Sequence, residues 1–301
     1  MYESHFGFKE LPFGLTPDPS YFFRCSSYRE ALETLLVAAY NGEGFIKIIG
    51  EVGYGKTILC RTFLAALQQA DDDPQGEGAQ VARALGRERR FVTAYLPNPY
   101  LDPRGLLLAL AKEFGVEADR SADLHMLIKA VTSGLMDIAG EGRHAIVCLD
   151  EVQAMPQVTL EAVRLLTNLE TEKRKLLQVV LFGQPELEEK LRQESARQML
   201  QRITFQYTLT GLREDEVAAY LEHRLRVAGC EVAGLFEPDA VRLLHRYSGG
   251  TPRLVNILAH KALMLAFGEG VREIGTRQIK AAAYDTPAAR RPRAFLDWLG
   301  Q

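Results

Sequence analysis

Gly50-Glu-Val-Gly-Tyr-Gly-Lys56-Thr57 lies between an apolar run, Gly44-Phe-Ile-Lys-Ile-Ile-Gly50, and a helical stretch from Thr57 to about Gln69. The run reads as a short strand ending in glycine. The spacing fits G-x-x-x-x-G-K-[ST], the phosphate-binding loop pattern. Its glycines let the backbone curl so that successive N–H groups face one phosphate. The helix that follows adds its positive N-terminal end. Lys56 is placed to reach the β- and γ-phosphates of ATP, and Thr57 to offer its hydroxyl to Mg²⁺. An ordinary glycine-rich strand-to-helix turn would explain neither residue. Tyr54 is bulky beside Gly55, but its side chain can point to solvent. The expected nucleotide contacts are Gly50, Glu51, Val52, Gly53, Tyr54, Gly55, Lys56, Thr57 and Ile58.

Downstream, His144-Ala-Ile-Val-Cys-Leu-Asp150 is apolar until its last residue, and Glu151 follows. A carboxylate at the carboxyl end of a buried parallel strand lies near the phosphates, where it can hold Mg²⁺ through water. Asp150 takes that role in this reading, and Glu151 polarises the attacking water. A strand end carrying a solvated acidic pair is the plainer alternative. The loop upstream favours the functional reading, and Glu151 favours hydrolysis over binding alone.

Working outward, Phe91–Leu96, Leu176-Leu-Gln-Val-Val-Leu-Phe-Gly183 and Ile203–Leu209 read as further strands. Helical periodicity marks residues 28–40, 104–114, 122–139 and 158–172. Strands alternating with helices imply a mostly parallel sheet buried on both faces. Past Gly211 the strand signal stops, and helices are expected at 213–228, 237–247, 252–267 and 276–284. The expected organisation is an aromatic and proline-rich arm over 1–27, an α/β domain over 28–210, an all-helical domain over 211–285 and a tail over 286–301. Prolines 12, 17 and 19 argue against helix in the arm, whose aromatics suggest packing on a domain. Residues 71–90, with five acids and four bases, read as an exposed insertion with room for one short helix. Pro185–Leu200 reads as one helix of alternating charge.

The 301 residues are 47% hydrophobic and 25% charged, which excludes disordered, collagen-like and rod-like chains. A formal charge of −3 gives no global field toward nucleic acid or anionic lipid. Cys25, Cys60, Cys148 and Cys230 are far apart and the six histidines lack metal spacing, so neither disulfides nor structural zinc are expected. The first residues lack a signal peptide's basic and apolar regions, and no run approaches the ~20 apolar residues needed to cross a bilayer. The cytoplasm is the expected compartment. The tail sets Arg290, Arg291 and Arg293 before Phe295, Leu296, Trp298 and Leu299. It reads as a terminus packed on the helical domain, or as a contact for a partner or an anionic membrane surface.

The motifs together resemble an AAA+ ATPase, a P-loop α/β domain followed by a small helical lid. More narrowly, the chain resembles the ExeA/GspA family of bacterial secretion ATPases. The residues carrying this include Phe6-Gly-Phe, Pro12-Phe-Gly-Leu-Thr-Pro-Asp-Pro, Ala94-Tyr-Leu-Pro-Asn-Pro-Tyr-Leu, Leu165-Leu-Thr-Asn-Leu-Glu-Thr, Phe182-Gly-Gln-Pro-Glu-Leu, Gln201-Arg-Ile and Gly250-Thr-Pro-Arg-Leu-Val-Asn. The resemblance implies further roles. Gln184 takes the sensor-1 position, with Asn168 as a competing amide. Arg202 or Arg197 serves as the arginine finger toward a neighbouring subunit, Arg202 being favoured over the plain reading of a solvated arginine. Arg253 matches sensor 2.

The function so implied is ATP hydrolysis in a homo-oligomer, driving or regulating assembly of an MSHA-type type IV pilus or a related secretion machine. The best-known family members carry a membrane span and a periplasmic peptidoglycan-binding domain after the ATPase core. Neither follows the lid here, so contact with the inner membrane is expected through a partner. Two alternatives stand beside this. One is a DNA-associated ATPase of the TniB-like transposition-helper type. Ten basic and ten acidic residues over 211–285 argue against DNA as a partner. The other is a nucleotide-gated scaffold with negligible turnover.

Overall fold

The computed structural model describes residues 2–15, 19–70, 73–98, 100–170, 175–193, 197–230 and 234–290, with the side chains of Pro19 and Arg197 outside that description. The chain opens with one helical turn, α1 (Glu3–Phe6), and a 3-10 turn at Pro19–Tyr21. Proline at the first position of such a turn gives up an N–H that has no partner there. The proline-rich arm therefore holds two short helical turns where the sequence argued for none.

Helix α2 (Ser26–Asn41) leads into β1 (Phe45–Ile49), and α3 (Lys56–Gln68) follows the glycine loop. Next come α4 (Glu77–Ala84), β2 (Arg90–Leu96), α5 (Pro103–Glu113), α6 (Leu124–Gly140), β3 (Arg143–Leu149), α7 (Gln157–Leu166), β4 (Leu177–Gly183), α8 (Glu186–Arg192), α9 (Arg197–Leu200) and β5 (Ile203–Thr208). Helices α10 (Glu214–Val227), α11 (Pro238–Ser248), α12 (Pro252–Glu269) and α13 (Thr276–Tyr284) complete the described elements. They divide into two compact units. One comprises residues 28–52 and 56–209; the other comprises 1–27, 53–55 and 210–301.

In the first unit the described strands pair in parallel in the order β2-β3-β4-β1-β5. Successive strand side chains point to opposite faces. Ala145, Val147, Leu149, Leu177, Val179 and Leu181 join one buried cluster with α5, α6 and α7. The alternate residues Ile146, Cys148, Val180 and Phe182 are equally buried. Both faces of β3 and β4 are therefore covered, as a parallel sheet requires. Asp102 caps α5 by accepting from the Gly105 N–H at 2.6 Å, and Asp123 caps α6 through the Met126 N–H at 2.8 Å.

Three readings of this unit need correction. The helix expected over 158–172 ends at Leu166, where Thr167 turns its hydroxyl back onto the Arg164 carbonyl at 2.8 Å, and Glu170 then bridges to Lys175. A side chain that bonds the backbone competes with helix continuation. The insertion is more than an exposed loop. A Cβ on Gly78 would lie 2.2 Å from the Ala66 carbonyl oxygen, so α4 packs backbone-close on α3, and Ala79 is buried. The single helix expected over 185–200 is two, α8 and α9.

In the second unit, Tyr2, Phe6, Phe8 and Phe13 are buried in one cluster with α10–α13. Phe6 stacks on Phe8 with centroids 5.6 Å apart, and the Tyr2 hydroxyl meets His260 Nδ1 at 2.7 Å. Arg224 is buried and anchors the arm. It donates to the carbonyls of Pro12 at 2.6 Å and Gly14 at 3.3 Å, and to the Tyr220 hydroxyl at 3.0 Å. Its guanidinium lies 4.5 Å from the Tyr21 ring centroid. Arg290 follows α13 and donates its N–H to the Tyr247 carbonyl at 2.8 Å. The expectations for 291–301 lie outside the described residues. Of the cysteines, Cys60 and Cys148 are buried, whereas Cys25 and Cys230 are partly exposed. Among the described residues no helix is long and apolar enough to cross a membrane.

Candidate active site

The sheet brings the carboxyl ends of β1, β3 and β4 level with one another. Ile49 pairs with Gly183, and Leu149 with Leu181. The Gly50 N–H donates to the Gly183 carbonyl at 3.1 Å, and the Asp150 N–H to that of Leu96 at 3.0 Å. The loop after β1, the Asp150-Glu151 pair after β3 and Gln184 after β4 thus emerge along one edge. In open α/β sheets ligands sit outside this edge.

Gly53 and Gly55 have φ of 84° and 82°, the left-handed region that favours glycine. A Cβ on Gly50 would lie 3.1 Å from the Leu209 Cβ. Glu51 and Val52 are exposed, while Tyr54, Thr57 and Ile58 are half-buried. Lys56 opens α3 and is 5% exposed. Its Nζ donates to the Gly50 carbonyl at 2.7 Å and to that of Glu51 at 3.1 Å. Thr57 Oγ1 donates to Asp150 Oδ2 at 2.7 Å. Asp150, 2% exposed, also accepts from the Glu151 N–H at 2.9 Å and, at the long distance of 3.4 Å, from the Tyr95 hydroxyl.

Burial dominates the electrostatics. It pushes the Asp150 carboxyl above its ordinary range, against the hydrogen bonds from Thr57 and the Glu151 N–H. It holds the Lys56 ammonium below its ordinary range, against the pull of Glu151, Asp150, Glu51 and Glu186. Tyr95 is raised, first by burial and then by the Asp150 charge. Burial therefore works against the ionised forms of both Asp150 and Lys56. A hard cation on the oxygens of Thr57 and Asp150, and a polyphosphate at Lys56, would compensate those charges, so the donor set fits Mg²⁺ and ATP. Among the described residues no cluster of three or more His, Cys, Asp or Glu side chains could hold a metal alone.

Glu151 has φ of 55° and is left-handed, unlike any other described residue that is not glycine. Its Oε2 accepts from Gln184 Nε2 at 2.9 Å and also from Gln153 Nε2. Gln153 Oε1 in turn accepts from the Gln184 N–H at 3.1 Å. The structure thus gathers Lys56, Thr57, Asp150, Glu151 and Gln184. Asn168 is elsewhere and accepts from Arg202. Arg202 precedes β5, whose Ile203 pairs with Phe45 at the amino end of β1, so it lies at the opposite edge of the sheet. Arg197 begins α9. Arg253 belongs to the helical unit, where it enters the first turn of α12 and donates its N–H to the Gly53 carbonyl at 3.4 Å.

Sequence reasoning missed Gln153 and Tyr95. Gln153 has only its position two residues past Glu151, on the turn that leaves the strand, which does not set it apart from other polar turn residues. Tyr95 has only its place near the end of β2, beside β3.

A family model described as an AAA domain matches residues 39–191, just over half of the chain. The chain belongs to the AAA domain family, and its parallel sheet, flanking helices and helical unit make up the α/β AAA+ fold. Among individual proteins, General secretion pathway protein A of Aeromonas hydrophila is 40% identical over 290 residues, 96% of this chain and 49% of that protein. The chain spans about half the length of this curated relative. The ORC2 protein of Aeropyrum pernix, in ADPNP–ADP complexes, superposes with a TM-score of 0.64 at 18% identity, over 96% of this chain and 74% of that one. Drosophila ORC bound to DNA gives 0.65 at 14% identity, over 90% and 63%. The RuvB branch migration motor of Thermotoga maritima gives 0.51 at 15% identity, over 88% and 70%. At these identities the structural likenesses speak of the fold alone.

Proposed function

We propose that the protein hydrolyses ATP with Mg²⁺ as an oligomeric ATPase that serves a secretion or type IV pilus machine. The contact that carries this reading is the 2.7 Å hydrogen bond from Thr57 to Asp150, with Glu151 next in the chain. It joins the end of the phosphate loop after β1 to the carboxylate at the end of β3, one strand removed in the sheet, and these two oxygens would hold a nucleotide-bound cation. Thr57 and Asp150 would hold Mg²⁺ there, and the ion would supply positive charge against the negative charge of phosphoryl transfer. The curled backbone and Lys56 hold the phosphates. Glu151 accepts the proton of a water that attacks the γ-phosphorus as the bond to ADP breaks. Gln184, which donates to Glu151, would orient that water.

Arg202 supports a shared site. It is level with the start of β1, and five strand residues at ~3.3 Å each separate it from Gly50, roughly 16 Å and beyond the span of its own side chain. A guanidinium so placed serves a neighbouring subunit's nucleotide, stabilising the charge on the transferring phosphoryl group. The sequence motif around Arg253 supports a role for it at the phosphates of the same subunit. The secretion setting draws on the 40% identity to General secretion pathway protein A. The pilus assignment draws on the sequence motifs, which resemble the MSHA pilus biogenesis protein MshM.

The test is ATPase rate against protein concentration for the wild type and Arg202→Ala, with Glu151→Gln as the blank. Specific activity should climb with concentration and fall by roughly 10³-fold in Arg202→Ala. Tight binding with a flat, near-zero rate at every concentration would sink the hydrolysis reading and leave the nucleotide-gated scaffold.

A further inference from the structure

Gln153 belongs to no phosphate-loop or strand-end pattern, yet it makes as many contacts to the Glu151 group as Gln184 does. Its amide has one orientation. The Gln184 N–H can only donate, so the oxygen of Gln153 must face it at 3.1 Å, and that turns Nε2 onto Glu151. The backbone beneath is equally fixed. Gln153 sits in the 3-10 turn Val152–Ala154, flanked by Val152 and Met155, both fully buried. Lys190 Nζ donates to the Gln153 carbonyl at 2.9 Å and also to that of Met155.

The two amides meet the same oxygen of Glu151. Gln153 and Gln184 both donate to Oε2, and among the described residues no hydrogen bond is made to Oε1. Two donors on one oxygen stop the carboxylate from rotating and leave Oε1 as the proton acceptor. Gln184 alone would restrain it less, and its own N–H would lose its acceptor. The left-handed backbone at Glu151 gives the side chain an unusual starting direction, which increases the need for such a guide.

The geometry points to Gln153 as a positioning residue for the reaction: it orients Glu151 toward the attacking water without touching nucleotide. This rests on the hydrolysis reading. The test compares full-length wild type, Gln153→Met and Gln153→Glu in ATP hydrolysis, with kcat and KM separated. Methionine keeps the length and packing but donates nothing. Glutamate still accepts from the Gln184 N–H yet offers Glu151 no donor. Both variants should lose roughly 10- to 100-fold in kcat, the range for a misoriented catalytic group, with KM within about twofold. In a Glu151→Gln background, Gln153→Met should change residual kcat by less than about twofold, since the group it positions is gone. Wild-type kcat in Gln153→Met overturns the inference, as does an undiminished loss in the Glu151→Gln background. A wild type without turnover at any concentration refutes the hydrolysis reading itself, and this role with it.

Discussion

Each unit buries charge, and the two do so in opposite ways. Arg224 is 7% exposed, and the chain satisfies it from every side, with two carbonyls, a tyrosine hydroxyl and an aromatic face. Asp150 and Lys56, at 2% and 5%, are only partly satisfied, and burial presses both toward their neutral forms. A buried charge completed by its own chain is a structural fastening. A buried charge that burial still presses toward its neutral form leaves room for a ligand to supply the remainder, as the proposed nucleotide and cation would.

The widest break in this comparison should come from Arg224→Ala. It removes the buried guanidinium and leaves the Pro12 and Gly14 carbonyls without their donor, a loss of about 3 kcal/mol. Denaturant unfolding should show that loss whether or not nucleotide is present. The ligand side should respond almost as strongly in the reverse sense. MgATP at 100 times its Kd should stabilise the wild type by about 2.7 kcal/mol, and calorimetry should find that gain absent in Lys56→Ala. The smallest effect sharpens the contrast. Asp150→Asn removes a charge that burial disfavours, so the nucleotide-free variant should melt roughly 2–4 °C above wild type. The sign can be checked with pH. The folded pKa of Asp150 is raised above its ordinary 3.8, so its contribution to stability is greatest below that value and declines as pH rises through the folded pKa. The melting gap between variant and wild type should therefore narrow on acidification. A gap that widens would show Asp150 to be satisfied by its own chain, as Arg224 is.

The fold was legible where one local signal decided it. The apolar runs at 45–49, 144–149 and 177–183 had to be buried strands, and Asp150 announced itself as the polar end of one. The four lid helices followed from periodicity, proline starts and glycine stops such as Gly249, whose φ is 58°. Features set by contacts distant in sequence were not legible. Nothing near Arg224 announces that residues 12 and 14 will close over it. The close approach of Gly78 to Ala66 depends on how α4 settles on α3. Gln153 looks like any polar turn residue until Gln184, 31 positions away, fixes its amide.

The left-handed backbone of Glu151 has a consequence for laboratory evolution. That conformation costs an L-residue about 1–2 kcal/mol, and glycine adopts it freely. A library screened only for heat resistance would feel that cost at position 151 and drift toward glycine or asparagine. On the hydrolysis proposed above, the hardiest survivors would then be the ones least able to turn over nucleotide, and a selection on this chain would need activity in its readout from the first round.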